Sequence, residues 1–303
     1  MIKPVVPALL APMLRCLYLR GMRFRRDEIE GVTFKVADSL DDKEAAFQLV
    51  HEMYVRRGII SRSEGNSRLS VFHLLPTTTI FIAKRDGQVI GTVSLIEDSP
   101  LGVPMEETHP QEILTLRLAG WRFAEVGALA VAAGHRGKGL SLMLYNIMFR
   151  WARQHRLVRN LALAVHPRIA GFFEVIFLAE RLGPVRPYAK LNDALSVPLS
   201  IELLTAPLRF RDLYDRPAMH IGRGADALNF YKFFCEDRID NMLLPELSRF
   251  SSPLQPAPAW SPAEIASALS KRGLDMTALP RQHRRVLLEY YPGFRDMNHG
   301  ISA

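Results

Sequence analysis

Hydrophobic and polar positions follow two rhythms along the chain, and short Gly- and Pro-containing breaks separate them. Leu40, Phe47, Val50 and Tyr54 recur at helical spacing, so a helix is expected from Ser39 onward. Ser39 suits the N-cap, Asp41 and Asp42 fall in the first turn where the helix dipole favours acids, and Gly58 supplies a stop. Residues 79–84 and 89–97 are rich in Ile, Val, Phe and Thr and flank Asp86-Gly87, which predicts a β-hairpin. A loop carrying Pro100, Gly102, Pro104 and Pro110 then leads to a short helix over 111–119 and a strand over 122–131. Beyond the glycine-rich turn 134–139 the pattern predicts a helix over 140–154, a buried strand over 160–165 and a helix opened by Pro167 to about residue 179. One or two strands follow within 185–203.

This alternation over residues 32–204 predicts an α/β (α+β) domain with a central mixed, twisted sheet flanked by helices. Residues 205–303 form a mostly helical C-terminal extension. In it 251–258 read as a linker, Ser261-Pro262-Ala263-Glu264 as a capping box opening a helix to Gly273, and 280–291 as a last helix. The aromatic run Asn229–Phe234 either covers an apolar tunnel or packs on the core. Residues 1–31 form an N-terminal arm. Its apolar stretch, Pro4–Leu14, is broken by Pro4, Pro7 and Pro12 and falls short of the ~20 residues of a membrane span. Arg15, Arg20, Arg23, Arg25 and Arg26 follow it, the reverse of a signal peptide. Such an arm either lies on a membrane surface, arginines at the headgroups, or packs on the domain.

The 303 residues are 48% hydrophobic and 23% charged, with a net charge of +8, so acidic partners are attracted. No nucleic-acid-binding motif accompanies that charge, and nucleic acid is not expected as a partner. Cys16 and Cys235 stand far apart with no zinc-type spacing. They read as free thiols in a cytoplasmic protein, with no metal site.

The stretch from Glu125 to Ser141 concentrates the chemistry. A strand, a Gly-rich basic loop and a helix start follow one another, an arrangement that offers free backbone N–H groups and a positive dipole end to an anion. Gly137 and Gly139 permit close backbone approach, Arg136 and Lys138 add charge, and phosphate is the natural guest. The spacing is neither that of a Walker loop nor of a dinucleotide fingerprint. Arg136, Gly139 and Ser141 resemble the pyrophosphate signature R/Q-x-x-G-x-G/A of the GNAT acyltransferases, with Ser141 in place of the final Gly or Ala. The resemblance implies a GNAT-like fold and donor-binding positions at Leu129, Val131, Arg136, Gly137, Lys138, Gly139, Leu140 and Ser141.

A wider set narrows the family: Leu75–Thr79, Asp98–Met105, Ala124–Val131, His166-Pro-Arg168, Phe172-Phe-Glu174 and Glu180–Tyr188. Together they resemble the long-chain N-acyl amino acid synthases, bacterial relatives of the acyl-homoserine-lactone autoinducer synthases, over about residues 33–204. The resemblance implies a fatty acyl group carried as a phosphopantetheine thioester, on acyl carrier protein or coenzyme A, and an amino acid acceptor such as tyrosine; no tightly bound cofactor is implied. The autoinducer synthases' strand motif of Glu, apolar, Ser and Arg is kept here only as Glu125, with Gly127 and Ala128 in its last two places. Val50 stands where those enzymes place an arginine near the aromatic matched by Tyr54. Lactone synthesis from S-adenosylmethionine is therefore not expected.

Amide formation from a thioester needs a deprotonated amine, a polarised carbonyl and a protonated leaving thiol. Glu125 is the candidate for the amine's proton or for holding the amine, and backbone amides near 131–133 for the oxyanion. His166, before a proline at a strand end, fits either proton transfer or a structural turn. Tyr188 fits either proton delivery to the thiolate or core packing. No Asp or Glu occurs from Val126 to Phe173, and Arg150, Arg153, Arg156 and Arg159 cluster near the end of the helix. They are candidates for contact with an acidic carrier protein, or for simple helix C-terminal compensation. Two other readings use the same loop: an acetyl-CoA-dependent N-acetyltransferase, which needs a small acyl pocket, and a non-catalytic binding module.

Overall fold

The computed structural model describes residues 6–7, 9–22, 24–61, 67–216, 219–221, 227–236, 242–243 and 260–294. Helix α1 (Ala11–Gly21) and the single turn α2 (Arg26–Ile29) precede β1 (Thr33–Val36) and α3 (Leu40–Arg56). The hairpin β2 (Thr78–Arg85) and β3 (Gln88–Glu97), α4 (Pro110–Leu118), β4 (Phe123–Val131) and α5 (Leu140–Arg150) follow. Then come β5 (Asn160–Val165), α6 (Pro167–Ile176), β6 (Glu180–Arg181), β7 (Arg186–Tyr188) and β8 (Ala194–Glu202). The chain ends with α7 (Ala206–Tyr214), β9 (His220–Ile221), β10 (Leu228–Asn229), α8 (Phe230–Cys235), β11 (Met242–Leu243), α9 (Pro262–Ser270) and α10 (Arg281–Tyr290). The expected linker at 251–258 lies outside the described residues.

The sheet runs β11-β1-β2-β3-β4-β5-β8-β6, with β7 beside β8. The sheet is mixed: β11 runs parallel to β1 at one edge, and at the centre β4 and β5 run parallel between antiparallel neighbours. The two faces of β2 show how the layers are built. Phe81 and Ala83 pack with α5, while Ile80 and Ile82 pack with α3. Local chemistry sets the element ends. The Ser39 hydroxyl accepts from the Asp42 N–H, and Asp86 and Gly87 both take positive φ in the hairpin turn. Two expected helices end early. Trp151–His155 winds as a π-turn, with Trp151 stacked on His155 at 4.6 Å and donating to Thr79. The helix from Pro167 stops at Ile176, and Leu178 follows in the left-handed region.

The arm packs on the domain. Leu19 is fully buried, Tyr18 meets Phe172 edge-on at 5.6 Å, and Arg15 Nε donates to the Val175 carbonyl. Its outer side leaves Leu9, Leu10, Met13 and Leu17 exposed. No helix among the described residues is long and apolar enough to cross a membrane. Elements after residue 205 pack on both faces of the sheet. Phe210, Tyr214, Phe230 and Phe234 join the α5–α6 side, whereas Trp260, Leu269, Leu287 and Tyr291 join the α3 side. Trp260 lies parallel to Phe47 at 6.3 Å, under the Lys43 ammonium.

Candidate active site

Strands β4 and β5 pair only at Phe123–Asn160, Ala124–Leu161 and Glu125–Ala162. Beyond Glu125 they part, and a cleft of about 270 Å³ opens between them. A bulge in β4 accompanies the opening. Ala128 and Leu129 together oppose Val93, and Ala128 is held at φ 52, a strained conformation for a residue with a Cβ. Tyr54 and Arg57 from the end of α3, Gly127–Leu129 of the bulge, Leu163–Val165 of β5, His166 just after it, and Tyr188 and Ser196 line the cleft. Val126, Tyr145, Leu163 and Phe173 continue from it into a small void of about 10 Å³ reaching Phe149, Phe177 and Ile201. The aromatic run at 229–234 closes this inner end, because Phe234 meets Phe149 at 5.6 Å and Phe177 at 5.4 Å.

The loop between β4 and α5 has the form of an anion cradle. Gly137 (φ 72) and Gly139 (φ 90) adopt conformations that other residues resist, and Gly139 is the N-cap of α5. The first-turn N–H groups of α5 have no intrahelical partners. Leu140 is buried, so only its backbone faces a ligand there, whereas Ser141 is exposed. The two loop cations are tied sideways. Arg136 reaches the Met53 sulfur at 3.2 Å and the Val131 carbonyl at 3.4 Å, and Lys138 pairs with Glu28 at 2.9 Å. Leu129 lines the cleft, and Val131 sits at the loop's base, paired with Gly91.

Glu125 is 6% exposed, and its Oε2 accepts the Met105 N–H at 2.6 Å. Burial pushes its carboxyl up to about 8, against the opposing pull of that hydrogen bond. A Cβ on Gly127 would stand 3.9 Å from Glu125 Oε1, so the carboxyl lies beside the cleft's bulged wall. Tyr188 donates to the Pro104 carbonyl at 3.2 Å, and burial raises the pKa of its phenol. Arg117 fixes the loop that carries Pro104 and Met105 by gripping both Asp98 and Glu106.

The remaining sequence candidates fall as follows. His166 is exposed at the cleft wall and caps α6, its Nδ1 accepting the Arg168 N–H at 3.2 Å. The Ala132 N–H is committed to the Ile90 carbonyl, so the amide at that position is unavailable to an oxyanion. Of the arginine cluster, expected either to meet a carrier protein or to compensate the helix end, Arg150 and Arg156 are tied into the fold. Arg156 is 2% exposed and pairs with buried Glu97 at 2.6 Å, because a buried carboxylate needs a cation. Arg150 ties α5 to α8 through Asn146 and the Phe233 carbonyl. Arg159 is exposed, over the Trp121 ring at 4.6 Å, and Arg153 is half-buried. All four lie at the far end of α5, whose 11 residues span ~16 Å from the glycine loop.

Sequence reading missed Arg57, Tyr145 and Ser196, which carry no motif. Ser196 belongs to a buried chain. Arg186 holds Glu112 and donates to His109 Nδ1 at 2.9 Å, and His109 Nε2 lies 2.7 Å from the Ser196 hydroxyl. A guanidinium only donates, so Nδ1 is the acceptor and Nε2 bears the proton. Burial holds His109 down to about 4, so it stays neutral. His109 therefore has no lone pair for Ser196, and the pair is not a nucleophile and its base.

The parted central strands, the β4 bulge and the glycine cradle at the start of α5 define a GNAT-type acyltransferase. The N-acyl amino acid synthase FeeM family matches residues 45–202, just over half the chain, and the protein belongs to that family. The solved structure of FeeM, an N-acyl amino acid synthase from uncultured soil microbes, is 18% identical. It covers 58% of this chain and 93% of its own with a TM-score of 0.52, a likeness of fold. The CoA-dependent acyl-homoserine lactone synthase BjaI, solved with SAM and isopentyl-CoA, is 15% identical over 66% of this chain and 97% of its own, TM-score 0.46. An acyl-CoA N-acyltransferase from Pseudomonas aeruginosa is 16% identical over 56% and 97%, TM-score 0.38. No curated protein sequence matches the chain.

Proposed function

We propose that this acyltransferase moves a long-chain fatty acyl group from a phosphopantetheine thioester to the amine of an amino acid. The observation that carries this reading is the cleft's apolar continuation past Val126, Leu163 and Phe173 toward Phe149 and Phe177. A long chain entering there would open the packed interior further, and each buried methylene would contribute ~0.8 kcal/mol. An acetyl group needs no such path. In this reading the pantetheine phosphate rests on the amides of residues 137–141, and the thioester lies along the β4 bulge. Glu125, once ionised, takes the amine's proton. The backbone of Ala128 and Leu129 receives the oxyanion, and Tyr188 protonates the departing thiolate. The donor is acyl carrier protein, with acyl-CoA as the alternative. The carrier's acidic surface would meet Arg136 at the loop rather than Arg150–Arg159.

Lipid extracts of a host expressing the wild type, set beside Glu125→Gln, test the reaction. New long-chain N-acyl amino acids that vanish in the variant are expected. Soluble protein with no new acyl product would overturn the reading in favour of short-chain transfer or a binding module. Helix α1 supports a further part of the reading, peripheral membrane contact, since Leu9, Met13 and Leu17 face outward and no acid precedes Asp27. Sedimentation with anionic vesicles that is unchanged by Met13→Glu plus Leu17→Glu would exclude it.

A further inference from the structure

Among the described residues, the cleft lining includes one arginine, Arg57. Arg57 follows α3 directly, its side chain is exposed, and it lines the cleft. No Asp or Glu is among the residues lining that cleft. Neighbouring cations are engaged. Arg136 rests on Met53, Lys138 pairs with Glu28, Arg186 with Glu112, and Arg68 lies over the Tyr54 ring. Among the described residues, no hydrogen bond or ion pair engages the Arg57 guanidinium. A guanidinium facing a mostly apolar cleft with no acid among its described lining residues is placed for an anionic group of a ligand.

The position of Tyr54 links this cation to the reacting end. Tyr54 stands one turn before Arg57 on α3 and lines the same cleft. Burial chiefly raises the pKa of its phenol, with Arg68 and Arg57 pulling it down and Glu125 pushing it up. A cation lining the cleft and a carboxyl beside its bulged wall suit the two ends of an α-amino acid.

We propose that Arg57 is the specificity-determining residue of the acceptor site, binding the α-carboxylate of the amino acid whose amine faces Glu125. The inference rests on the amino acid acceptor proposed above and names the contact that selects it. Among the described residues lining the cleft, Arg57 is the one Lys or Arg, and an amino acid differs from the amine left by its decarboxylation in one anionic group.

The test compares tyrosine with tyramine, and phenylalanine with phenethylamine, as acceptors for the wild type, Arg57→Ala and Arg57→Lys, with one long-chain acyl donor held constant. The wild type is expected to prefer the amino acid of each pair. In Arg57→Ala the KM for the amino acid rises ~10- to 100-fold while acylation of the amine is unchanged, and Arg57→Lys is intermediate. Equal losses for both members of a pair would assign Arg57 to the donor phosphate or to the fold and overturn the proposal. An unchanged preference in Arg57→Ala would overturn it too. A wild type that acylates neither member removes the amino acid reading itself, and a wild type that prefers the amines leaves acyl transfer standing while removing the role of Arg57.

Discussion

Glu125 and Tyr188 hold opposite sides of one peptide group, that between Pro104 and Met105. The Met105 N–H donates to Glu125 Oε2 at 2.6 Å, and the Pro104 carbonyl accepts from the Tyr188 hydroxyl at 3.2 Å. A loop from after β3 therefore fixes a residue of β4 and a residue of β7 at once. The grip of Arg117 on Asp98 and Glu106 keeps that loop in place.

The carboxyl of Glu125 governs two opposite pH dependences. As a base it must ionise, so kcat/KM is expected to rise with pH through about 8, and Glu125→Gln to lower kcat ~100-fold or more and flatten the profile. For stability the sign reverses. The folded state binds this proton more tightly than the unfolded chain does, so its contribution is present at low pH and is lost as pH rises from the ordinary carboxyl range through about 8. Glu125→Gln should therefore melt above the wild type at pH 9 and level with it near pH 5. Calorimetry showing the reverse order would refute the buried, proton-retaining carboxyl.

Tyr188→Phe separates chemistry from packing. Losing the bond to Pro104 costs about 1 kcal/mol of stability. If the phenol protonates the thiolate, kcat with pantetheine thioesters falls ~10-fold or more. An aryl thioester, whose thiolate leaves unprotonated, should then restore the wild-type rate. An equal deficit with both donors would make Tyr188 a packing residue only.

Leu163 lines both the cleft and the inner void. Leu163→Trp is expected to block the deep path, lowering kcat/KM for long-chain donors more than ~10-fold while sparing two- to four-carbon donors, at a packing cost of ~1–3 kcal/mol. A uniform fall across chain lengths would place the acyl chain elsewhere.

Gly139 caps α5 at φ 90, where a Cβ is strained. Gly139→Ala should cost ~1–2 kcal/mol and weaken acyl-CoA binding by calorimetry. Unaltered affinity would mean that the loop amides do not hold the phosphates.

The capping serine at 39, the Asp86-Gly87 turn, the buried strand 160–165 and the glycine loop were all legible in the sequence. Each is decided by neighbours along the chain: a hydroxyl three residues before an N–H, two positive φ angles, or a Cβ that must be absent. Glu125 was legible as well, through the motif around it. Arg57 was not, since an arginine at a helix end has the same linear signature whether it compensates the dipole or faces a cleft. The roles of Arg150 and Arg156 also went unread, because charge clustering does not reveal that Glu97 on another strand demands a partner. Local sequence thus determined the elements and the glycine loop. Only the tertiary structure decided which charges are already paired and where β4 leaves β5, because ion pairing and strand divergence depend on groups that meet across the fold rather than along the chain.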